Sequence, residues 1–428
     1  MNLTDFINGI SSGAFDDKFR LLYGSSAKNL MRQKTRYISA AENFSKLYPE
    51  CSEIRIFSAP GRTEIGGNHT DHQHGCVLAA AVDLDAVAFV SLNSENTVRI
   101  SSEGYSDTLI NLSDIEAHDN EKGTTAALVR GILCKFREHG TDIKGFNVYI
   151  TSDVLSGSGL SSSAAFEVLI GNIIDRCFNE TSVGAEKIAK IGQFAENEYF
   201  GKSSGLMDQM VASVGGFVFI DFHDIDSPAI DTVDFDFQNS GYSLCIVDTK
   251  GSHGDLTDDY SAIPEEMCHV AQKLGAEYLR EITEDDFYSS LPDLRKDCSD
   301  RELLRAAHFF DENNRAILET EALKNGDTEE FFSLVNASGT SSAELLQNLF
   351  SAKTPLKQEI PLAIMLSKRL LAGCGAVRVH GGGFAGTIQA FVPSYKISDF
   401  KNEMERIFGE NCCYVLKIRP VGGFELTL

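Results

Sequence analysis

The chain has 428 residues, more than one hydrophobic core usually serves, so two domains are expected. Apolar residues make up 43% and charged residues 23%, the balance of an ordinary globular protein rather than a fibrous or disordered one. A formal charge of −24 excludes a broadly basic surface, so neither nucleic acid nor acidic lipid is an expected partner, and any phosphate must be held by backbone N–H groups, a metal ion and a few placed cations.

Taken in chain order, the first fifty residues read as polar helices ending near Tyr48-Pro49. Met1–Phe19 has no basic start followed by an apolar core, so no secretory signal is expected, and no run reaches the length of a membrane span. Ten cysteines without a C-x-x-C pair fit reduced thiols in the cytoplasm better than a zinc site or a disulfide framework. A strand is predicted at Glu53–Ser58, then a dense polar loop from Pro60 to Gly75, then strands at Cys76–Val82, Ala86–Leu92 and Thr97–Ser101. Helical spacing over Thr124–His139, a strand at Phe146–Thr151, a Gly/Ser turn and a buried helix at Ser161–Arg176 follow. A helix over Glu186–Phe200 and a strand at Gly216–Asp221 precede an acidic segment, Phe222–Ser240, with little periodicity. That segment is the expected domain boundary, dividing the chain into 1–225 and 226–428. Beyond it come a strand at Tyr242–Asp248, mostly helix over Ile263–Leu370, and strands at Ala376–His380 and Gly386–Val392. A helix at Ile397–Phe408 and a strand at Cys413–Ile418 close the chain. No internal repeat is visible, and the alternation of strands and helices says mixed α and β.

Three motifs carry chemistry. Leu155-Ser-Gly-Ser-Gly-Leu-Ser-Ser-Ser-Ala-Ala165 stands between a predicted strand and a predicted helix. Its glycines let the backbone come close to a ligand, and the helix start offers unpaired N–H groups, a ready phosphate site. Gly157, Ser158, Gly159, Leu160, Ser161, Ser162 and Ser163 are therefore the candidate nucleotide loop. It is no P-loop, because no lysine follows Gly159, and no H-R-D or D-F-G of a protein kinase occurs. An N-capping serine run in an ordinary loop is the bland alternative.

Pro60-Gly-Arg-Thr-Glu-Ile-Gly-Gly-Asn-His-Thr-Asp-His72 packs a cation, carboxylates, an amide and imidazoles between glycines, a density of donors and acceptors that suits a polyhydroxylated ligand. His69, His72 and His74 lack the i, i+4 helical spacing of a zinc helix, so no metal is expected there. The third motif, His380-Gly-Gly-Gly-Phe-Ala-Gly-Thr387, joins two strands, and three consecutive glycines point to close backbone packing or ligand approach. A fainter element is Gly205-Leu-Met-Asp-Gln209.

In this order the motifs resemble the GHMP kinase superfamily and the galactokinase family within it, over a stretch from about Phe44 to the end. The resemblance implies an α+β / α/β, two-domain fold: an N-terminal α/β domain, a C-terminal ferredoxin-like domain, and the active site between them. It implies transfer of the γ-phosphoryl group of ATP to the anomeric hydroxyl of galactose. It implies Asp208 and Arg62 as the catalytic pair, Arg62, Asn68, His69, Asp71, Asp208 and Tyr260 (seven residues after His253) at the sugar, and Ser163 with Glu196 as ligands of Mg2+. The oligomeric state stays open, a monomer being the simplest form.

The chain departs from the family pattern G-R-x-N-[L/I]-I-G-[E/D]-H-x-D-Y, with Glu64 in place of the asparagine, Asn68 in place of the acidic residue and His72 in place of the tyrosine. A neutral amide at position 68 is expected to accept a sugar hydroxyl less strongly and to tolerate a carboxylate at C6. The alternatives are thus a kinase for galacturonate, N-acetylgalactosamine or arabinose, or a sugar sensor without activity. The presence of Arg62, Asp208 and Ser163 weighs against the sensor.

Overall fold

The computed structural model describes residues 1–154, 159–179, 182–251 and 256–427. It opens with helices α1 (Leu3–Ser12), α2 (Asp16–Tyr23) and α3 (Ala27–Leu47). These are less polar in effect than in composition: Phe6, Phe15, Phe19, Tyr23, Tyr37 and Phe44 are each at most 1% exposed. Their rings meet largely edge to face, Phe19 on Tyr37 at 4.9 Å among them. Burying each contributes about 1.5–3 kcal/mol, enough to hold short helices against a sheet.

Strands β1 (Arg55–Gly66) and β2 (Cys76–Leu92) form a long antiparallel pair. They are followed by β3 (Thr97–Ser102), β4 (Thr108–Asn111), α4 (Thr125–Glu138), β5 (Phe146–Ser152), α5 (Ser162–Phe178) and α6 (Ala185–Phe194). A single wide helical turn, Ala195–Phe200, leads towards α7 (Met207–Val214), β6 (Phe217–Asp221) and β7 (Ala229–Val233). Alternation along the strands divides the sheet. Ile56, Val87 and Phe89 face the aromatic cluster of α1–α3, whereas Phe57, Ala88 and Val90 face α4 and α5.

The remaining chain supplies β8 (Tyr242–Asp248), α8 (Thr257–Lys273), α9 (Glu284–Asp297), α10 (Asp300–Lys324), α11 (Thr328–Ser341) and α12 (Glu359–Leu371). It closes with β9 (Ala376–Val379), β10 (Thr387–Pro393), α13 (Ile397–Phe408), β11 (Cys413–Leu416) and β12 (Phe424–Glu425). Four of these strands make an antiparallel sheet in the order β11-β8-β10-β9. With helices between β8 and β9 and between β10 and β11, that is the ferredoxin-like β-α-β-β-α-β plan. The eight-stranded sheet runs β12-β1-β2-β5-β3-β4, with β6 on β2 and β7 on β6.

Three expectations are corrected. The segment Pro60–Gly66 is strand, not loop, because β2 offers it a full ladder and two register shifts absorb its glycines and proline. Cys76–Val82 and Ala86–Leu92 are one continuous strand, because Asp83 and Asp85, which read as a break, find buried partners. Asp83 accepts from the Lys417 backbone at 2.9 Å, and Asp85 from Arg36 at 2.7 Å and Tyr23 at 2.6 Å. The boundary at 225/226 falls inside the β6–β7 hairpin, and β12 returns to pair with β1, so residues beyond 225 also build the first sheet. Among the described residues no helix is long and apolar enough to cross a membrane.

Candidate active site

Strand β1 delivers Arg62, and the first turn of α7 delivers Asp208, 146 residues later. The two meet side-on: Arg62 Nε donates to Oδ1 at 2.6 Å and Nη2 to Oδ2 at 2.7 Å. Such a fork is stronger and more directional than a single hydrogen bond. A third donor, Arg62 Nη1, binds the Gly159 carbonyl, and Arg62 N donates to Leu160 O at 3.0 Å. The guanidinium thus ties the aspartate to the Gly/Ser loop. Burial pushes the Asp208 carboxyl up, but the Arg62 charge and hydrogen bonds from Arg62 and Ser161 outweigh it, holding the group below the usual carboxylate range. Asp208 is ionised and still 27% exposed on its side chain, hence reachable by a ligand.

Of the expected nucleotide loop, Gly159, Leu160, Ser161, Ser162 and Ser163 are described. Gly157 and Ser158 lie outside the described residues, as does His253. Gly159 has φ +75°, and a methyl built there would stand 3.1 Å from the His380 ring. Ser161 also takes a left-handed conformation, φ 54°, immediately before α5 begins. Ser162 and Ser163 then open a helix whose first N–H groups have no helical partner.

Ser163 Oγ donates to Glu196 Oε1 at 3.3 Å, so the hydroxyl and carboxylate expected to share a metal do meet. Glu196 is 2% exposed and sits on the wide turn after α6, a local distortion that turns its carboxylate inward. Lys202 Nζ lies 2.8 Å from the same Oε1, so a cation already stands at this oxygen. The lysine side chain is 57% exposed and free to swing away. The other oxygen, Oε2, accepts from Ser204 Oγ at 2.7 Å and Gln209 Nε2 at 2.9 Å. Oxygen donors with a cation against them fit Mg2+, which needs few protein ligands when phosphates and waters supply the rest. Among the described residues no cluster of three or more His, Cys, Asp or Glu could hold a metal without such help.

Behind Glu196 lies a second carboxylate that sequence reasoning missed. Gln209 Nε2 bridges Glu196 and Glu167, each at 2.9 Å, and Glu167 is fully buried. Burial, then the Glu196 charge, push the Glu167 carboxyl up to about 8. A folded value above the unfolded one costs stability as pH rises from about 4.5 to 8, by at most ~1.4 kcal/mol per unit. Glu167→Gln removes that cost. Its melting temperature relative to wild type should therefore be higher at pH 8 than at pH 5, and an equal shift at both would show Glu167 already ionised.

The sugar-signature residues converge on the glycine triplet. Asn68 Nδ2 donates to Gly381 O at 2.8 Å, His69 Nε2 to Gly382 O at 3.1 Å and Tyr260 Oη to Gly383 O at 2.9 Å. A methyl on Gly382 would stand 2.6 Å from the Tyr260 ring, so the triplet is needed for this approach. Burial, then the neighbouring His72, lower His69 to about 3, and its Nδ1 is buried with no partner among the described residues. Asp71 sits beside the segment that carries Asp208: a methyl on Gly205 would be 3.4 Å from Asp71 Oδ2.

Asn68 is placed otherwise than expected. It is 0% exposed, and its amide is consumed by Gly381 O, by Glu64 Oε1 at 3.0 Å and by Asn348 Nδ2 at 3.0 Å. It braces the wall of the cleft rather than facing a ligand. Gly67 and His69, both at positive φ, turn the chain around it. One further group went unseen in the sequence: Arg378, 1% exposed, which donates to Glu64 Oε1 at 2.8 Å; His380, the first residue of the third motif, is held between Thr63 and Thr387.

Against known proteins, residues 127–216 match the model of the GHMP kinases N terminal domain, and residues 42–92 that of the galactokinase galactose-binding signature. The galactokinase of Lactobacillus helveticus is 30% identical over 371 residues, 84% of this chain and 91% of that one. The chain belongs to the galactokinase family. The galactokinase of Actinobacillus pleuropneumoniae serotype 5b is 29% identical over 87% of this chain and 92% of its own length. A crystal structure of Lactococcus lactis galactokinase complexed with galactose superposes with a TM-score of 0.75 at 25% identity, covering 90% of this chain and 98% of that one. A mevalonate kinase structure, TM-score 0.60 at 16% identity, shares the fold. The GHMP kinase fold expected from the motifs is thus the fold observed.

Proposed function

We propose that this galactokinase-family chain transfers the γ-phosphoryl group of ATP to the C1 hydroxyl of galactose, with Asp208 and Arg62 at the reacting atoms. The observation that carries the reading is the forked Arg62–Asp208 pair pinned to the Gly159 carbonyl. It puts an ionised acceptor and a fixed positive charge at the mouth of the phosphate loop.

Phosphoryl transfer asks mainly for alignment and charge stabilisation. Asp208 orients the C1 hydroxyl and receives its proton as the bond to phosphorus forms. Arg62 keeps that carboxylate ionised and faces the charge that spreads over the transferring group. Backbone N–H groups at the start of α5, with the hydroxyls of Ser161, Ser162 and Ser163, cradle the phosphates. Ser163 and Glu196 would hold Mg2+, which when bound neutralises phosphate charge that this acidic chain does not otherwise offset. His69 Nδ1, buried with no partner among the described residues, is the acceptor for a sugar hydroxyl, with Asp71 and Tyr260 as the other sugar-side groups. In this reading Arg62, Asp208 and the Gly/Ser loop come from the first half of the chain, and Tyr260 and the 380–387 motif of the second half complete the site.

The test is ATP-to-ADP turnover with magnesium across galactose, galacturonate, N-acetylgalactosamine, arabinose and glucose, with the product identified by phosphorus NMR. Galactose should give a 1-phosphate. Binding of galactose by calorimetry with no turnover on any sugar would favour a sensor on the same fold.

A further inference from the structure

The family pattern places an acidic residue where this chain has Asn68 and an asparagine where it has Glu64. In the structure these two side chains touch, Asn68 Nδ2 donating to Glu64 Oε1 at 3.0 Å. The acid and the amide have exchanged positions within one hydrogen-bonded pair.

What the exchange does follows from the strand. Arg62, Thr63 and Glu64 pair in regular register with Ala81, Ala80 and Ala79, so Arg62 and Glu64 lie on the same face, about 6.6 Å apart along β1. Arg62 grips Asp208 at one end of that span. Glu64 stands at the other, on the same face, and a backbone span of about that length is comparable to one sugar ring. Among the described residues only one of its carboxylate oxygens is used: Oε1 accepts from Arg378 and Asn68. Oε2 accepts from no described residue, and the side chain keeps 11% of its surface in solvent. Arg378 and Asn68 are themselves buried, 1% and 0% exposed.

Resting on the reading of the site as a sugar 1-kinase, we infer that Glu64, through Oε2, receives a hydroxyl on the sugar's edge remote from C1. Arg378 and Asn68 fix the carboxylate at Oε1 against the burial that pushes its pKa up, and an ionised acceptor binds a hydroxyl about twice as strongly as a neutral one. The consequence reverses the expectation drawn from Asn68. A C6 carboxylate on the sugar meets Glu64 as a like charge, and this site discriminates against uronic acids.

The experiment uses the full chain, with binding by calorimetry beside steady-state kinetics. In wild type, galacturonate should bind at least about tenfold more weakly than galactose, which corresponds to about 1.4 kcal/mol. One of 3-, 4- or 6-deoxygalactose should likewise lose about tenfold in affinity. In Glu64→Gln, galactose affinity should fall about tenfold with the KM for ATP unchanged, and that same deoxy sugar should lose nothing further. Galacturonate bound as tightly as galactose by wild type overturns the inference, whether or not the variant folds. So do losses that simply add for all three deoxy sugars in a folded Glu64→Gln. Binding that follows this pattern in a protein without turnover keeps the role of Glu64 and removes the kinase reading instead.

Discussion

Asp208→Asn is expected to lower kcat about a thousandfold or more while galactose binding stays measurable by calorimetry. Three decades correspond to about 4 kcal/mol of lost transition-state stabilisation, within the range for losing a positioned proton acceptor together with its charge. The amide keeps the shape of the carboxylate but presents one oxygen where there were two. Arg62, whose Nε and Nη2 now bind Oδ1 and Oδ2 at 2.6 and 2.7 Å, would face an NH2 group with one of them. Released from its fork, the guanidinium no longer fixes the Gly/Ser loop through Gly159 O. The loss should fall on kcat rather than on the galactose KM, because the proton is received only as the bond to phosphorus forms. Turnover within tenfold of wild type would remove Asp208 from the chemistry.

Glu196→Gln and Ser163→Ala are expected to raise the magnesium concentration needed for half-maximal rate, by about 10–100-fold for the glutamate. Glu196 has both oxygens engaged as acceptors, from Ser163 and Lys202 on one and Ser204 and Gln209 on the other, so the substitution removes the charge and turns an NH2 group onto one of these pairs of donors. With one negative charge gone, Lys202 also loses its partner and adds uncompensated positive charge beside any cation. Calorimetry of ATP binding with and without magnesium gives a readout independent of turnover: in Glu196→Gln, magnesium should add less to ATP affinity. An unchanged magnesium dependence in both assays would move the metal site elsewhere.

Local chemistry was legible in the sequence. A Gly/Ser run between a strand pattern and an apolar helix pattern carries what a phosphate loop needs, because glycine freedom and helix-start N–H groups are properties of a few adjacent residues. The same holds for the helix at Ser161–Arg176, observed as Ser162–Phe178, and for the strand at Phe146–Thr151, observed as Phe146–Ser152. The order of four motifs sufficed to point to the family, and with it to Asp208, Arg62, Ser163 and Glu196.

The errors came where a distant partner overrides a local preference. Pro60–Gly66 carries proline and glycine and reads as loop, yet β2 makes it strand. Asp83 and Asp85 read as a break, yet Lys417, Arg36, Tyr23 and Arg419 satisfy them inside one. Asn68 shows the limit most clearly. Its identity marks it as a departure at the sugar, but nothing in its neighbours along the chain says that Asn348 and Gly381 consume its amide. Nor does anything local say that Arg378, 314 residues from Glu64, takes one oxygen of that carboxylate and leaves the other without a partner among the described residues. Residue types and their spacing along the chain therefore determined the family and the chemistry available. Only the tertiary structure decided which side chain of that pair is saturated by hydrogen bonds and which keeps an oxygen without a partner among the described residues, because burial and hydrogen-bond saturation are set by groups that folding brings together from far apart.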